Sequence, residues 1–479
     1  MQERYLFFRA LYRNMGFLDE NYLLDTEIAS EIYKEIKDLP VVDAHNHANV
    51  QEIAENKHYT DIWQAEAATD HYVWEMMRKR GVDEAYITGE KPNHEKWMKL
   101  CDIFPDLVGN PTYEWVHLDL KRRLGIEAEI NTENAQMIWD KAQEVFAQEE
   151  KRPQALLKEM NIESMCSTDD PLDLLEHHQA VAKAMGENYI RPTWRPDKAM
   201  NIHKEEWPAY IDRLADRVDK PITTLDELIE ALEITHQYFA EHGCLATDHG
   251  VEFPFGYEVD KEEAEEAFRL RREGEDMEME HIPIFMSYML HEFARMNAKA
   301  GFTMQIHLGA VRDVRDSLYE CLGPDTGGDI CNHMIEIVDP LRDFLNAFDE
   351  FNEDIPEDHK GLKIVLYCVD PAHYPTLATL SRAFGKNVSL GAAWWFNDSP
   401  HGMSQQLKYI STVDVLANFG GMVTDSRKLL SYGSRTEMFR RVLANEMGLL
   451  VKRGQVPKSA AIRVAKFICY EGPKTLFGF

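Results

Sequence analysis

Leu39-Pro-Val-Val-Asp-Ala-His-Asn-His47 is a short apolar run that ends in a pair of histidines. Such a run, bounded by polar residues, reads as a buried strand, and its polar end is where chemistry would sit. Seven further stretches follow the same plan: Ile162-Glu-Ser-Met-Cys-Ser-Thr-Asp-Asp170, Tyr189-Ile-Arg-Pro-Thr-Trp-Arg195, Cys244-Leu-Ala-Thr-Asp-His249, Phe302-Thr-Met-Gln-Ile-His307, Leu362-Lys-Ile-Val-Leu-Tyr-Cys-Val-Asp370, Val388-Ser-Leu-Gly-Ala-Ala-Trp-Trp395 and Gly421-Met-Val-Thr-Asp-Ser-Arg427. Helical patterning lies between most of them, as at 225–239 and 286–298, and strand-helix alternation implies parallel strands with crossovers. Eight such units are the number that closes an α/β fold of the (β/α)8 TIM-barrel type, with functional groups at the strand C-termini. A doubly wound open sheet is the competing expectation.

Residues 51–159 separate the first expected strand from the second, far more than an ordinary βα connection. Helical patterns at 61–80, 93–104, 113–124 and 132–148 fill that gap. It is expected to be an inserted helical subdomain, with 39–50 and 160–479 forming the barrel. Residues 1–38 are expected to add an N-terminal helical arm, in which Ile28, Ile32 and Ile36 form an apolar stripe. The acidic run 261–280 reads as a solvated helix face and is given no function.

With 44% hydrophobic and 10% aromatic residues among 479, the chain can bury a large core. Its 52 Lys and Arg against 83 Asp and Glu leave a formal charge of −31, which disfavours nucleic acid and anionic membrane surfaces as partners. A small anionic substrate would need arginines close at hand, within a screening length of about 8 Å. Seven scattered cysteines without a C-x-x-C pair suggest free thiols in a reducing compartment. No signal-peptide pattern and no run of about 18 apolar residues is seen, so a cytoplasmic location is expected.

Residues two apart in a strand point to one side, so His45 and His47 can converge on one metal ion. Asp425, at the end of the eighth stretch, would complete a two-His, one-carboxylate set with open positions for substrate and water; capping of the following helix is its bland alternative. His307 ends the fifth stretch as a third nitrogen ligand, a hydrogen-bond donor to substrate or a core histidine. No histidine ends the sixth, and a single metal fits better than two. Arg195, Arg312 and Arg427 near the same rim suit a carboxylate-bearing small molecule, since a guanidinium fork matches a carboxylate, although each could serve a structural ion pair. Trp394 and Trp395 could wall a sugar or fill the core. Tyr72, in His71-Tyr72, could act as an acid or base if the helical insertion folds over the mouth. No Walker loop, G-x-S-x-G elbow or catalytic cysteine signature is present.

The motifs Arg191-Pro-Thr-Trp-Arg-Pro-Asp-Lys-Ala199, Gln305-Ile-His-Leu-Gly-Ala-Val-Arg312, Gly391-Ala-Ala-Trp-Trp-Phe-Asn-Asp398 and Gly421-Met-Val-Thr-Asp-Ser-Arg427 closely resemble those of uronate (glucuronate) isomerases of the amidohydrolase superfamily. So do Asp70-His-Tyr-Val-Trp74 and Asn110-Pro-Thr-Tyr-Glu-Trp-Val-His-Leu-Asp-Leu-Lys121. The resemblance runs in order from about residue 40 to residue 441. It implies a barrel with a helical insertion and interconversion of D-glucuronate with D-fructuronate and of D-galacturonate with D-tagaturonate. On the matching positions it implies that His45, His47 and Asp425 hold the metal, while Arg195, Arg427, Tyr72, His71, Asp248, His307 and Trp394 or Trp395 line the substrate. The chain departs from the family pattern after Arg312 (Asp-Val-Arg), after Tyr432 (Gly-Ser-Arg-Thr-Glu) and at Ser399-Pro-His401, which bears on substrate preference.

An aldose-ketose isomerase opens the hemiacetal, removes the C2 proton and returns one to C1 through an enediol. One divalent ion is expected, zinc first with Mn, Co or Fe as alternatives. Tyr72 or Asp425 is expected to move protons, with His71 and Asp248 beside them. A metal-dependent hydrolase of the amidohydrolase type is the enzymatic alternative, and a non-catalytic sugar-acid binding protein the third reading. The arm and the insertion offer apolar faces that leave a homo-oligomer open.

Overall fold

The computed structural model describes residues 16–479. Helices dominate it, and the strands are few and short. They are β1 (Val41–Asp43), β2 (Ile162–Cys166), β3 (Ile190–Arg191), β4 (Ala246–Val251), β5 (Thr303–Leu308), β6 (Ala310–Val311), β7 (Ile330–Cys331), β8 (Lys363–Cys368) and β9 (Val388–Leu390). They assemble as a parallel three-stranded sheet β1-β2-β3, a parallel four-stranded sheet β4-β5-β8-β9 and an antiparallel pair β6-β7.

This corrects the expected eight-stranded TIM barrel. Seven of the eight stretches contain a strand, but they belong to two small sheets linked only through single bridges at Asp169–Trp194 and Trp194–Thr247. Pro192 and Pro196 flank Trp194 and carry no N–H to extend a ladder there. The eighth stretch forms no strand. Gly421 and Asp425 turn left-handed, with φ of 97° and 46°, and break the extended backbone a ladder requires. Backbone to backbone, the stretch meets the first through Asp425 N–H to His45 C=O (3.2 Å) and His47 N–H to Ser426 C=O (3.2 Å). Asp43 reinforces that seam by accepting from the N–H (3.0 Å) and hydroxyl (2.5 Å) of Thr424.

Between β1 and β2 the chain is helical, and its apolar residues, among them Trp63, Trp97, Phe104 and Phe146, form one core with Val41, Ile162 and Ile190. The expected helix over 61–80 is two helices, Ile62–Glu66 and His71–Lys79, because Asp70 accepts from the Tyr72 N–H at 2.9 Å and starts a new N-terminus. A larger core gathers the second sheet and the later helices.

The expected arm lies partly in residues 1–15, outside the described residues. Its helix Glu27–Ile36 turns Ala29, Ile32 and Ile36 inward, with Ile28 only partly covered. It packs on Ser431–Lys452, where a Cβ at Gly448 would lie 2.8 Å from the Ala29 nitrogen, so the helices touch backbone to backbone. Residues 261–273 form a helix whose exposed Arg269 pairs with Glu266 and Glu273, a solvated face. The seven cysteines are free thiols. Among the described residues no helix is long and apolar enough to cross a membrane.

Candidate active site

Parallel register sets the floor of the site. Gly250, His307 and Tyr367 are cross-strand partners on β4, β5 and β8, and Asp248 lies two residues before Gly250 on the same face. His307 Nδ1 sits 2.6 Å from Asp248 Oδ1. Its ring stacks on Tyr367 (4.3 Å between centroids), whose hydroxyl donates to Gln305 at 2.9 Å. Gly391 makes room for the tyrosine, since a Cβ there would lie 2.1 Å from the ring.

Above this floor the first and eighth stretches meet. His45 Nε2 and His47 Nε2 lie 3.1 and 3.2 Å from the same Asp425 oxygen, Oδ1. The indole N–H of Trp394 donates to the other oxygen, Oδ2, at 2.9 Å. His45 turns its Nδ1 toward Asp248 (3.7 Å), and its ring lies 4.5 Å from that of His307. Asp248 is thus shared among His45, His307 and Arg195, whose Nη1 is 3.2 Å away. Arg195 also donates to Asp197 at 2.8 Å.

The electrostatics follow from this packing. Burial raises the pKa of Asp425, but the hydrogen bonds of His45 and His47 outweigh it and hold the carboxyl well below its ordinary range. Burial likewise opposes ionisation of Asp248, and Arg195, His307 and His45 overcome it. Burial lowers His47 and His307 to about 4 each, keeping both imidazoles neutral near pH 7. A neutral His47 beside the ionised Asp425 suits a divalent ion; burial lowers His45 too, but Asp248 and Asp425 outweigh it and raise it, so an ion held there would displace its proton.

A cavity of about 470 Å³ opens over these residues. His71, Tyr72, Trp395, Arg312, Arg427 and Asp325 line its walls. The helix His71–Lys79 brings His71 and Tyr72 into it, and their rings stack at 4.6 Å. The guanidinium of Arg312 lies 4.9 Å from the Trp395 ring. Asp325, on the segment between β6 and β7, stands 3.2 Å from Arg427 and 3.7 Å from Arg312. The arginine pair therefore already grips a carboxylate.

Every residue singled out in the sequence reaches this cavity or its floor, Asp248 in the latter. At this cavity two groups of donors could hold a metal ion, His45-His47-Asp425, partly exposed, and His45-Asp248-His307, buried throughout, with His45 common to both. The buried His45 Nδ1 has no hydrogen-bond partner; the Asp248 carboxylate, 3.7 Å away, is the group it faces.

The family model described as Glucuronate isomerase matches residues 15–477. The chain belongs to the glucuronate isomerase family. The uronate isomerase of Thermotoga maritima is 49% identical over 461 residues, 96% of this chain and 99% of that protein. A crystal structure of the uronate isomerase from Thermotoga maritima superposes with a TM-score of 0.92 and covers 97% of this chain and 100% of its own. The glucuronate isomerase from Caulobacter crescentus, 25% identical, gives a TM-score of 0.89 over 97% of each chain.

Three features of this glucuronate isomerase family member were not legible in its sequence. Asp325 carried no motif, and its place between the arginines depends on the path of the β6–β7 segment. Lys428 is buried with Glu66 (2.9 Å), Asp70 (3.5 Å) and Asp119 (3.5 Å), which ties the stretch after Asp425 to three helices of the 51–159 region. Arg435 donates to Asp398 at 3.0 Å and lies 5.4 Å from the Tyr72 ring. Arg435 lies on the buried face of the helix Ser431–Lys452, a charge at a core position, whereas Lys428 sits in the bend before that helix and no pattern marks it.

Proposed function

We propose that this chain interconverts aldose and ketose forms of a hexuronate in the cavity beneath Arg312, Arg427 and Trp395, with one divalent ion, zinc first, held by His45, His47 and Asp425. Isomerase activity on hexuronate sugars comes with membership of the family. The pairs are D-glucuronate with D-fructuronate and D-galacturonate with D-tagaturonate. One observation carries the reading of the site: a single cavity holds both the His45-His47-Asp425 donors and two arginines already closed on a carboxylate.

The substrate carboxylate takes the place of Asp325 between Arg427 and Arg312, since a free anion there meets the same two guanidinium groups. Arg195 is engaged by Asp248 and Asp197 and orients the floor. A bound divalent ion would supply Lewis-acid withdrawal of charge from the substrate oxygens beside C2. Asp425, ionised and aimed into the cavity, accepts the C2 proton, exchanges it with solvent and delivers a proton to C1, while the O2 hydroxyl gives up its proton and O1 takes one. The Tyr72 phenol is raised well above its ordinary value, by burial first and then by Asp425, so it stays protonated and donates to a substrate oxygen. His71 is lowered to about 4 by burial and then Arg427, and its buried Nδ1 has no partner. It can therefore take the C1 hydroxyl proton and pass it to the ring oxygen as the hemiacetal opens. Trp394 fixes the Asp425 carboxylate, and Trp395 offers the sugar an apolar face.

Purified, zinc-supplied chain should form ketose from at least one of the two hexuronates. Arg427→Met should raise KM at least tenfold with metal content unchanged. Absence of ketose with both sugars, or an unaltered KM in the variant, would overturn the reaction or the carboxylate grip respectively.

A further inference from the structure

A second donor cluster lies away from His45 and shares no residue with it: His333, Asp370 and His373. After β5 the chain makes an excursion whose limbs pair as β6 and β7, Ala310 opposite Cys331 and Val311 opposite Ile330. Asn332 N–H closes its base by donating to Gly309 C=O at 2.7 Å. Arg312 and Asp325, which face the cavity, lie on this excursion. Its returning limb carries His333 to the residues just beyond β8.

There Asp370 is already oriented. Its Oδ1 accepts from the Ala372 N–H at 2.8 Å, capping the single turn Pro371–His373, and its Oδ2 lies 2.7 Å from His333 Nδ1. His373 closes that turn and brings a second imidazole to the same carboxylate. The two rings lie 6.1 Å apart and within 26° of parallel. His373 Nε2 is buried without a hydrogen-bond partner, which a simple His333–Asp370 hydrogen bond does not explain. One donor atom from each of the three residues lies within 4.8 Å of the others.

We propose that His333, Asp370 and His373 form a second divalent-cation site that staples the 309–337 excursion to the end of β8. Two imidazoles and one carboxylate form a borderline-soft donor set suited to zinc-class transition ions rather than calcium or magnesium. His333 is 67% exposed, so its ring can open from the 2.7 Å contact to ligand spacing, and water can fill the remaining positions. The ion would fix the limb that returns from Arg312 and Asp325. That consequence for substrate rests on the reading of the cavity above, whereas the binding site does not.

Zinc per chain, measured by mass spectrometry after dialysis against buffered zinc, should be two in the wild type and one in both His333→Ala and His45→Ala. His333 is exposed, so its replacement should leave the fold intact, and His373→Ala should repeat the loss. One zinc per chain in the wild type that His45→Ala removes, or two retained in His333→Ala and His373→Ala, would overturn the site. If His333→Ala loses one zinc and His45→Ala loses none, the second site stands and the first assignment falls. Under saturating zinc, tryptic cleavage after the exposed Arg315 should be several-fold faster in His333→Ala than in the wild type; equal rates would overturn the staple.

Discussion

Asp425 and Trp395, two residues of the candidate site, hold left-handed backbone conformations with φ of 46° and 54°. Such a conformation costs a non-glycine residue about 1–3 kcal/mol and persists where surrounding contacts over-determine it. At Asp425 those contacts are His45, His47 and Trp394. Asp425→Asn should lower kcat by about 10²–10⁴-fold, the usual contribution of a positioned general base, in a ketose-formation assay. Tyr72→Phe should slow turnover while leaving substrate binding nearly intact, as read from kcat and KM separately. A different prediction concerns Asp398, which burial pushes up to about 7 despite Arg435. A carboxyl with a folded pKa above its unfolded value binds its proton more tightly when folded. Its contribution to stability is therefore full below about pH 4 and is lost as pH rises toward 7. Urea titrations should show a flatter pH dependence across that window in Asp398→Asn than in the wild type. The histidine pair was visible in the sequence because two residues at a strand end share a direction. The hub role of Asp248 was not, because His45, Arg195 and His307 reach it from three separate stretches.

At the scale of elements, Lys428 is the joint between the Asp425 stretch and the helices that carry Glu66, Asp70 and Asp119. Burial raises Glu66 well above its ordinary value even against Lys428, and the three carboxylates hold the lysine charged. Removing the cation leaves buried carboxylates unpaired. Lys428→Ala should therefore destabilise the fold by about 3–5 kcal/mol in urea unfolding, and Glu66→Gln added to it should recover part of that loss. Seven strands were legible as short, partly apolar runs that end in polar residues, although Thr247-Asp-His249 and Gln305 show that polar side chains also enter them. The eighth was not, because Gly421-Met-Val-Thr-Asp425 has the composition of a strand while its ends turn left-handed to aim Asp425. Closure of a barrel was inferred from counting stretches, and counting says nothing of register. Among the described residues the ladders of the two sheets are bridged through the backbone of Trp194, between its two prolines. The break at Asp70 was legible in part, as the aspartate-led start of the motif that delivers His71 and Tyr72.

For the whole molecule, a charge of −31 would repel a hexuronate at long range, and Arg312 and Arg427 answer it locally. Exhaustive chelation should abolish ketose formation, and zinc should restore it. Added zinc should raise the unfolding temperature of the chain, with about 2.7 kcal/mol of added stability at a hundredfold excess over Kd. On the reading above, Asp425 exchanges with solvent the C2 proton of a hexuronate held beneath Arg312 and Arg427. Proton NMR of zinc-supplied chain in D2O with D-glucuronate, and separately D-galacturonate, follows that proton. The predicted result is a ketose signal accompanied by loss of the C2 proton to solvent deuterium, with both abolished in Asp425→Asn. Undiminished C2 exchange in that variant at wild-type metal content, or no change in either sugar with the wild type, would contradict it.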